Sequence, residues 1–303
     1  MAPRAVVIGG AGFIGSHLCE RLLAEDWDVL CLDSAARGSA RTLNAILRHD
    51  RFAFGRSDTS GVLHVDGPVD WVFYLPEAAR AGHGEDLARR PPEDAARGAR
   101  RALALARSKG AGLLLVTAYR ETEAAGRIVE RARDVPAIAV RIGETFGPRM
   151  PRGGGPVGMF LERALRGDVI PLGANASEAL SVCYVDDLVE GIWLAVQSQV
   201  PEPTDVGRPV AVTRRRLAEL ISVLAGRGSV VVPAGEADGP SPPRIRSQDL
   251  VPTPAGAGSE GAPLLEGLSR TIEWAREVWT TEKRDARSIE EPSLSLPTPA
   301  SGG

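Results

Sequence analysis

The residues with the clearest chemical purpose are Gly9-Gly10-Ala11-Gly12-Phe13-Ile14-Gly15, a GxxGxxG series. It directly follows an apolar run, residues 5–8, and opens an amphipathic stretch, residues 13–24. Glycines at Gly9, Gly12 and Gly15 let a backbone turn tightly and approach a pyrophosphate, while the first N–H groups of a helix at Phe13 and Ile14 face that anion. The next apolar run ends on Asp33, placed to accept hydrogen bonds from an adenine ribose. Asp58, with Thr59 beside it, is placed to reach the adenine edge. Leu75 and Thr117, at the ends of two later apolar runs, complete the expected cofactor contacts. Asp33 would repel a 2′-phosphate and so favours NAD(H). Ser34, Arg37 and Arg41 follow closely, and a guanidinium there could instead meet the phosphate of NADP(H).

Composition limits what else the chain can be. Its 303 residues carry a net charge of −3, with 43% hydrophobic and 25% charged residues. That balance is ordinary for a globular protein and gives no reason to expect nucleic acid or an anionic membrane as partner. Cys19, Cys31 and Cys183 are scattered, without a CxxC spacing, which argues for reduced buried thiols in a cytoplasmic protein and against a disulfide frame or a metal centre. No run is long and apolar enough to span a bilayer, and the start of the chain lacks a signal-peptide layout. Lysine is nearly absent, with Lys109 and Lys283 the only two.

The elements that must hold the glycine loop follow from alternation. Apolar runs at residues 5–8, 29–32, 52–54, 71–75, 113–117 and 137–142 are separated by helical stretches at 13–24, 93–107 and 121–133. Strand and crossover helix in turn predict an α/β fold, a Rossmann-type doubly wound parallel sheet with the cofactor at the carboxyl ends of its strands. Residues 1–150 form this dinucleotide-binding domain, with 181–200 returning to it. Residues 151–282 form a smaller mixed substrate-binding region: 152–156 a loop, helices near 159–166 and 187–197, a third from about 213, and a last one marked by Leu264, Leu265, Leu268, Ile272 and Ala275. Pro, Gly and Ser dominate 233–261, and residues from 283 to 303 read as a disordered tail.

These residues carry a family resemblance. Gly9–Leu23 (GGAGFIGSHLCERLL), Leu32-Asp33, Gly147-Pro148-Arg149-Met150, Ala164-Leu165-Arg166-Gly167 and the run from Cys183 to Gly191 resemble extended short-chain dehydrogenases/reductases, especially nucleotide-sugar decarboxylases, dehydratases and epimerases. The resemblance implies a Thr or Ser after the fifth strand, then a Tyr with a Lys four residues later. The Tyr protonates the substrate oxygen, and the Lys lowers the Tyr pKa and binds the nicotinamide ribose. Here those places hold Ala118, Glu123 and Arg127. The tyrosines are Tyr74, Tyr119 and Tyr184, and four residues beyond them stand Ala78, Glu123 and Leu188, so no Tyr-x-x-x-Lys exists. Glu123 and Arg127 read as a helical i,i+4 ion pair, although a guanidinium at Arg127 could still bond the ribose without titrating. The family's diphosphate-gripping Arg before its Tyr-Val-x-Asp segment is replaced by Leu180, next to Glu178 and Ala179. Arg246 is a second phosphate candidate in a loop.

An intact cofactor motif beside a dismantled triad is similar to the atypical, simocyclinone-type angucyclinone ketoreductases of this family. That resemblance implies NADPH-dependent reduction of an aromatic polyketide ketone, an antibiotic-biosynthesis activity, with the proton supplied by a hydroxyl on the substrate. Within the chain, Tyr119 after the fifth strand and His83 in the loop after the fourth are the candidate acids. The alternatives are a non-catalytic dinucleotide-binding sensor or scaffold, and a divergent nucleotide-sugar decarboxylase or epimerase. The partner expected is a small aromatic ketone, and the chain is expected to be a monomer or weak dimer because the helix at 121–133 is short.

Overall fold

The computed structural model describes residues 2–34, 42–57, 63–76, 92–118, 122–172, 176–198, 204–226, 231–232 and 264–289. Seven parallel strands form the main sheet in the spatial order β10-β6-β5-β4-β1-β2-β3. They are β1 (Arg4–Ile8), β2 (Asp28–Asp33), β3 (Phe52–Arg56), β4 (Trp71–Tyr74), β5 (Gly112–Ala118), β6 (Ala137–Ile142) and β10 (Thr204–Asp205). The chain order reverses between β1 and β4, which opens a crevice at their carboxyl ends. The doubly wound parallel sheet expected from the alternation is therefore present.

The two-residue period of the strands divides the core. Ala5 and Val7 of β1, with Leu114 and Val116 of β5, face α1 (Phe13–Ala24) and the later helix Val185–Ser198. Val6 and Ile8, with Leu113 and Leu115, face α2 (Pro92–Lys109) and α3 (Thr122–Arg131). Both faces are buried, which is why these strands are continuous apolar runs without polar alternation.

The smaller region contains α4 (Gly155–Arg166), packed against α6 (Arg214–Ala225), and α7 (Leu264–Ile289), while α5 (Val185–Ser198) packs beside α1 on the main sheet. A three-stranded sheet in the order β11-β9-β7 joins β7 (Glu144–Phe146) in parallel to β9 (Ala179–Tyr184), and β9 antiparallel to β11 (Val210–Thr213). A two-stranded piece pairs β8 (Ile170–Pro171) with β12 (Val231–Val232). These short strands were not expected from the sequence, since runs of two to six residues give little periodicity.

Two boundaries move. Gly155 and Pro156, read as loop, open α4, because Pro has a helical φ and no N–H to satisfy at a first turn. Likewise, α7 continues to Ile289 through residues assigned to the disordered tail; Glu-Lys-Arg-Asp-Ala-Arg has good helix propensity, and the tail's low hydrophobicity does not forbid extending a helix already nucleated at Leu268 and Ile272. Among the described residues no helix is long and apolar enough to cross a membrane.

Candidate dinucleotide site

The glycine loop lies where β1 hands the chain to α1. Gly9 takes φ 84°, donates its N–H to Leu32 O at 2.8 Å, and accepts that of Gly12 at 3.2 Å. A Cβ on Gly9 would overlap the Leu75 carbonyl oxygen, and one on Gly15 would overlap Gly9 O and stand 2.7 Å from Gly10 Cα. The loop is thus a cradle that side chains would fill. Gly12 caps α1 without a side-chain hydrogen bond, and the first intrahelical bond runs from Ser16 N–H to Gly12 O at 3.0 Å. The Phe13, Ile14 and Gly15 N–H groups therefore stand in the first turn, where a helix has no backbone acceptor for them and carries its positive dipole end. The Phe13 and Ile14 side chains are buried beneath.

Asp33 ends β2, is buried, and accepts the Ala11 N–H on Oδ2 at 3.0 Å. Thr42 Oγ1 donates to Ala11 O at 2.8 Å from the other side. Below the loop, Cys31 Sγ and Cys19 Sγ stand 2.7 and 3.1 Å from where a Gly10 Cβ would be. Burial and the neighbouring Cys31 push the Cys19 thiol well above its ordinary range, the Cys31 hydrogen bond being the larger cause. Leu75 is buried at the end of β4. Ser34 follows β2 half-buried. Thr117 is buried and its hydroxyl donates to Val140 O on the neighbouring strand at 3.4 Å. These residues fit a dinucleotide pyrophosphate at the α1 N-terminus and an adenosine toward β2.

Arg127 lies on an exposed face of α3. By backbone, Ala118 closes β5 and Glu123 stands in the first turn of α3. Arg37, Arg41, Asp58, Thr59, His83, Tyr119 and Arg246 lie outside the described residues.

The remaining tyrosines have structural work. Tyr74 is buried under α2, its ring filling the space a Cβ on Gly98 would need. Tyr184 is 4% exposed, lies against Phe146 with ring centroids 5.6 Å apart and planes tilted by 54°, and abuts Gly267 of α7. Its hydroxyl is shifted upward, mainly by burial. Lys109 Nζ donates to Gly67 O at 3.0 Å, near the amino ends of β4 and β5, the edge opposite the glycine loop.

Two residues were passed over in the sequence. His17 is buried and places Nε2 3.0 Å from Pro148 O and Nδ1 3.5 Å from Asp186 Oδ1. It ties α1 to the 147–150 turn and to α5. In the same turn Arg149 has φ 69° and bonds Glu20 Oε2 at 2.6 Å and Thr42 O at 3.2 Å. Glu144, 9% exposed, is a buried carboxylate just past β6. A charged residue placed two positions from both Ile142 and Phe146, each apolar, is the signal that could have marked it.

Fold and loop together define a Rossmann-type dinucleotide-binding protein of the extended short-chain dehydrogenase/reductase kind. Residues 5–119 and 106–207 match the model of the NAD dependent epimerase/dehydratase family, and the chain belongs to that family. It is similar to UDP-glucuronic acid decarboxylase 1 of Xenopus tropicalis, at 27% identity over 90% of this chain and 72% of the relative. It is also similar to UDP-glucuronic acid decarboxylase 6 of Arabidopsis thaliana, at 28% identity over 87% and 88% of the two chains. Among solved structures, the Bordetella bronchiseptica enzyme WbmF in complex with NADH superposes with a TM-score of 0.76 at 15% identity, covering 97% of this chain and 98% of that one. DesIV, the dTDP-glucose 4,6-dehydratase of Streptomyces venezuelae with NAD and TYD bound, gives 0.73 at 19% identity, covering 92% and 98%.

Proposed function

We propose that this chain is an atypical NAD(P)H-dependent ketoreductase whose substrate is an aromatic polyketide ketone, angucyclinone-like, carrying a hydroxyl beside the carbonyl. The observation that carries the reading is a complete glycine cradle in a chain with no Tyr-x-x-x-Lys. Tyr74 and Tyr184 are committed to the cores, and Lys109 is held at the opposite edge of the sheet.

A bound reduced nicotinamide supplies the hydride. The chain's own part is positional: the Gly9–Gly15 loop fixes the pyrophosphate, Asp33 fixes the loop, and the ends of β4 and β5 border the ketone. As the carbonyl carbon gains hydride, its oxygen takes the proton of the adjacent substrate hydroxyl, and water reprotonates that phenolate. A positioned acid is worth roughly 10²–10⁴ in rate, about 3–6 kcal/mol, and an intramolecular hydroxyl has the effective concentration to supply it. Leu180, in place of a phosphate-binding Arg, fits an apolar ring better than a diphosphate.

The test is nicotinamide oxidation followed optically, with NADPH and NADH in turn, against ketones with and without a neighbouring phenol. Turnover confined to the phenolic ketones, unchanged in Tyr119→Phe and His83→Ala, is the expected result. Equal turnover of both ketones, or its loss in Tyr119→Phe, would assign the proton to the protein.

A second reading, a divergent nucleotide-sugar decarboxylase or epimerase, is supported by the similarity to UDP-glucuronic acid decarboxylases along most of the chain, and predicts UDP binding. Dinucleotide binding without turnover of any carbonyl would favour a sensor.

A further inference from the structure

Glu144 stands at the meeting of the two parts of the molecule. In the β5–β6 register Ala118 is opposite Ile142, and Glu144 follows two residues later, past the carboxyl edge of the main sheet. In the small sheet Glu144 is paired with Val182 of β9. Side chains two apart on a strand share a face, so Leu180 lies on the Glu144 face, about 8 Å away by strand geometry. The buried carboxylate and the missing guanidinium are therefore neighbours on one surface.

The carboxylate is aimed at the start of α4. A Cβ on Gly155 would overlap Glu144 Oε1 and stand 2.8 Å from Oε2. Gly155 has φ 61°, and the preceding Gly154 provides no side-chain cap. Pro156 has no N–H, and Gly158 gives its own to Gly154 O at 3.0 Å. The remaining first-turn donors are the N–H groups of Gly155 and Val157, at the end where the carboxylate sits. A buried carboxylate needs donors or a positive field to stay charged, and a helix N-terminus offers both.

From this we infer that Glu144 is a specificity-determining residue: it is an internal anion lodged on the α4 N-terminus, closing that end of the cleft to phosphate-bearing ligands. The inference rests on reading the carboxyl-edge cleft as the substrate site. A phosphate arriving at α4 meets a fixed negative charge in place of free N–H groups, and Leu180 gives no cation to offset it. A neutral aromatic ligand meets no such repulsion. Just before β9, Glu178 Oε2 lies 3.9 Å from Arg214 Nη2, so that guanidinium is paired with a carboxylate.

The experiment is calorimetric titration of the full chain, saturated with dinucleotide, using inorganic pyrophosphate and UDP as probes. Wild type is expected to bind neither measurably. Glu144→Gln, which keeps shape and removes charge, is expected to gain at least about tenfold in affinity for both, and Glu144→Gln with Leu180→Arg to gain more. Should Glu144→Gln fail to fold, Glu144→Asp, with its carboxylate drawn back from Gly155, is expected to give a smaller gain of the same sign. Wild-type binding of either probe, or no gain in the folded variants, overturns the inference. Ketone turnover is measured on the same samples. Its absence with a gain in Glu144→Gln removes the ketoreductase and leaves Glu144 as the gate, whereas turnover without a gain does the reverse.

Discussion

Asp33 Oδ2 accepts the Ala11 N–H at 3.0 Å, so the carboxylate expected to meet the adenine ribose also fastens the glycine loop to the end of β2. Cofactor affinity and loop order are coupled through one side chain. Asp33→Ala is expected to leave a buried N–H without its acceptor and to lower unfolding free energy by about 1–3 kcal/mol. Urea denaturation of the dinucleotide-free chain measures this directly, and titration with NAD(H) should show a parallel loss of affinity. Affinity lost with no change in the urea midpoint would leave Asp33 a ribose contact alone.

The closeness of Gly15 to Gly9 and Gly10 makes the loop intolerant of a single methyl. Gly15→Ala places Cβ 2.7 Å from Gly10 Cα, against backbone that has no rotamer to escape into. Overpacking of this kind costs about 1–3 kcal/mol, and the displaced loop should no longer bind either dinucleotide in a fluorescence titration. Retained binding would mean the cradle is not the pyrophosphate site.

Asp205 accepts from Arg141 Nε at 2.7 Å and Nη2 at 3.2 Å, joining β10 to β6, and is nearly buried. Asp205→Ala should cost about 2 kcal/mol, the range for hydrogen bonds to charged groups. The same substitution at Asp134, exposed beside Arg107, should cost less, because solvent screens that pair. Comparing the two thermal midpoints checks the contrast.

The Asp186 carboxyl is held below its usual range, first by the hydrogen bond to His17. A depressed carboxylate adds stability above its unfolded pKa of about 3.9 and loses it as pH falls through the folded value. Stability measured from neutral pH downward should therefore drop below about pH 4, less steeply in Asp186→Asn. In His17→Ala the Asp186 titration, followed by carboxyl NMR, should move upward.

Burial pushes the Cys183 thiol up to about 12, and the Cys31 hydrogen bond together with burial raises Cys19. Thiolate is the reactive form, so a thiol reagent at mildly alkaline pH should label the native chain far more slowly than the urea-unfolded one at both positions. Rapid native labelling at Cys19 would show that the floor of the glycine loop opens.

The order of strands and helices through residue 142 was legible because a strand buried on both faces must be a continuous apolar run and its crossover helix must be amphipathic. The GxxGxxG series, Asp33 and the absence of any Tyr-x-x-x-Lys were legible too, since each is a matter of residue type at short spacing. What tertiary structure alone decided depends on residues distant in the chain. Strands such as β7, β9 and β11 are too short to show a period, and they form only because each completes another's hydrogen bonds. His17 reaches Pro148 and Asp186 across more than a hundred residues, and no spacing announces that contact. Glu144 looked like one acid among many. Its meaning came from Gly155, whose missing Cβ leaves room for the carboxylate at a helix end, and from the β7–β9 register that sets it beside Leu180. Local pattern determines which elements form, because backbone hydrogen bonding and burial are periodic. Which charge faces which helix end is set only when those elements pack.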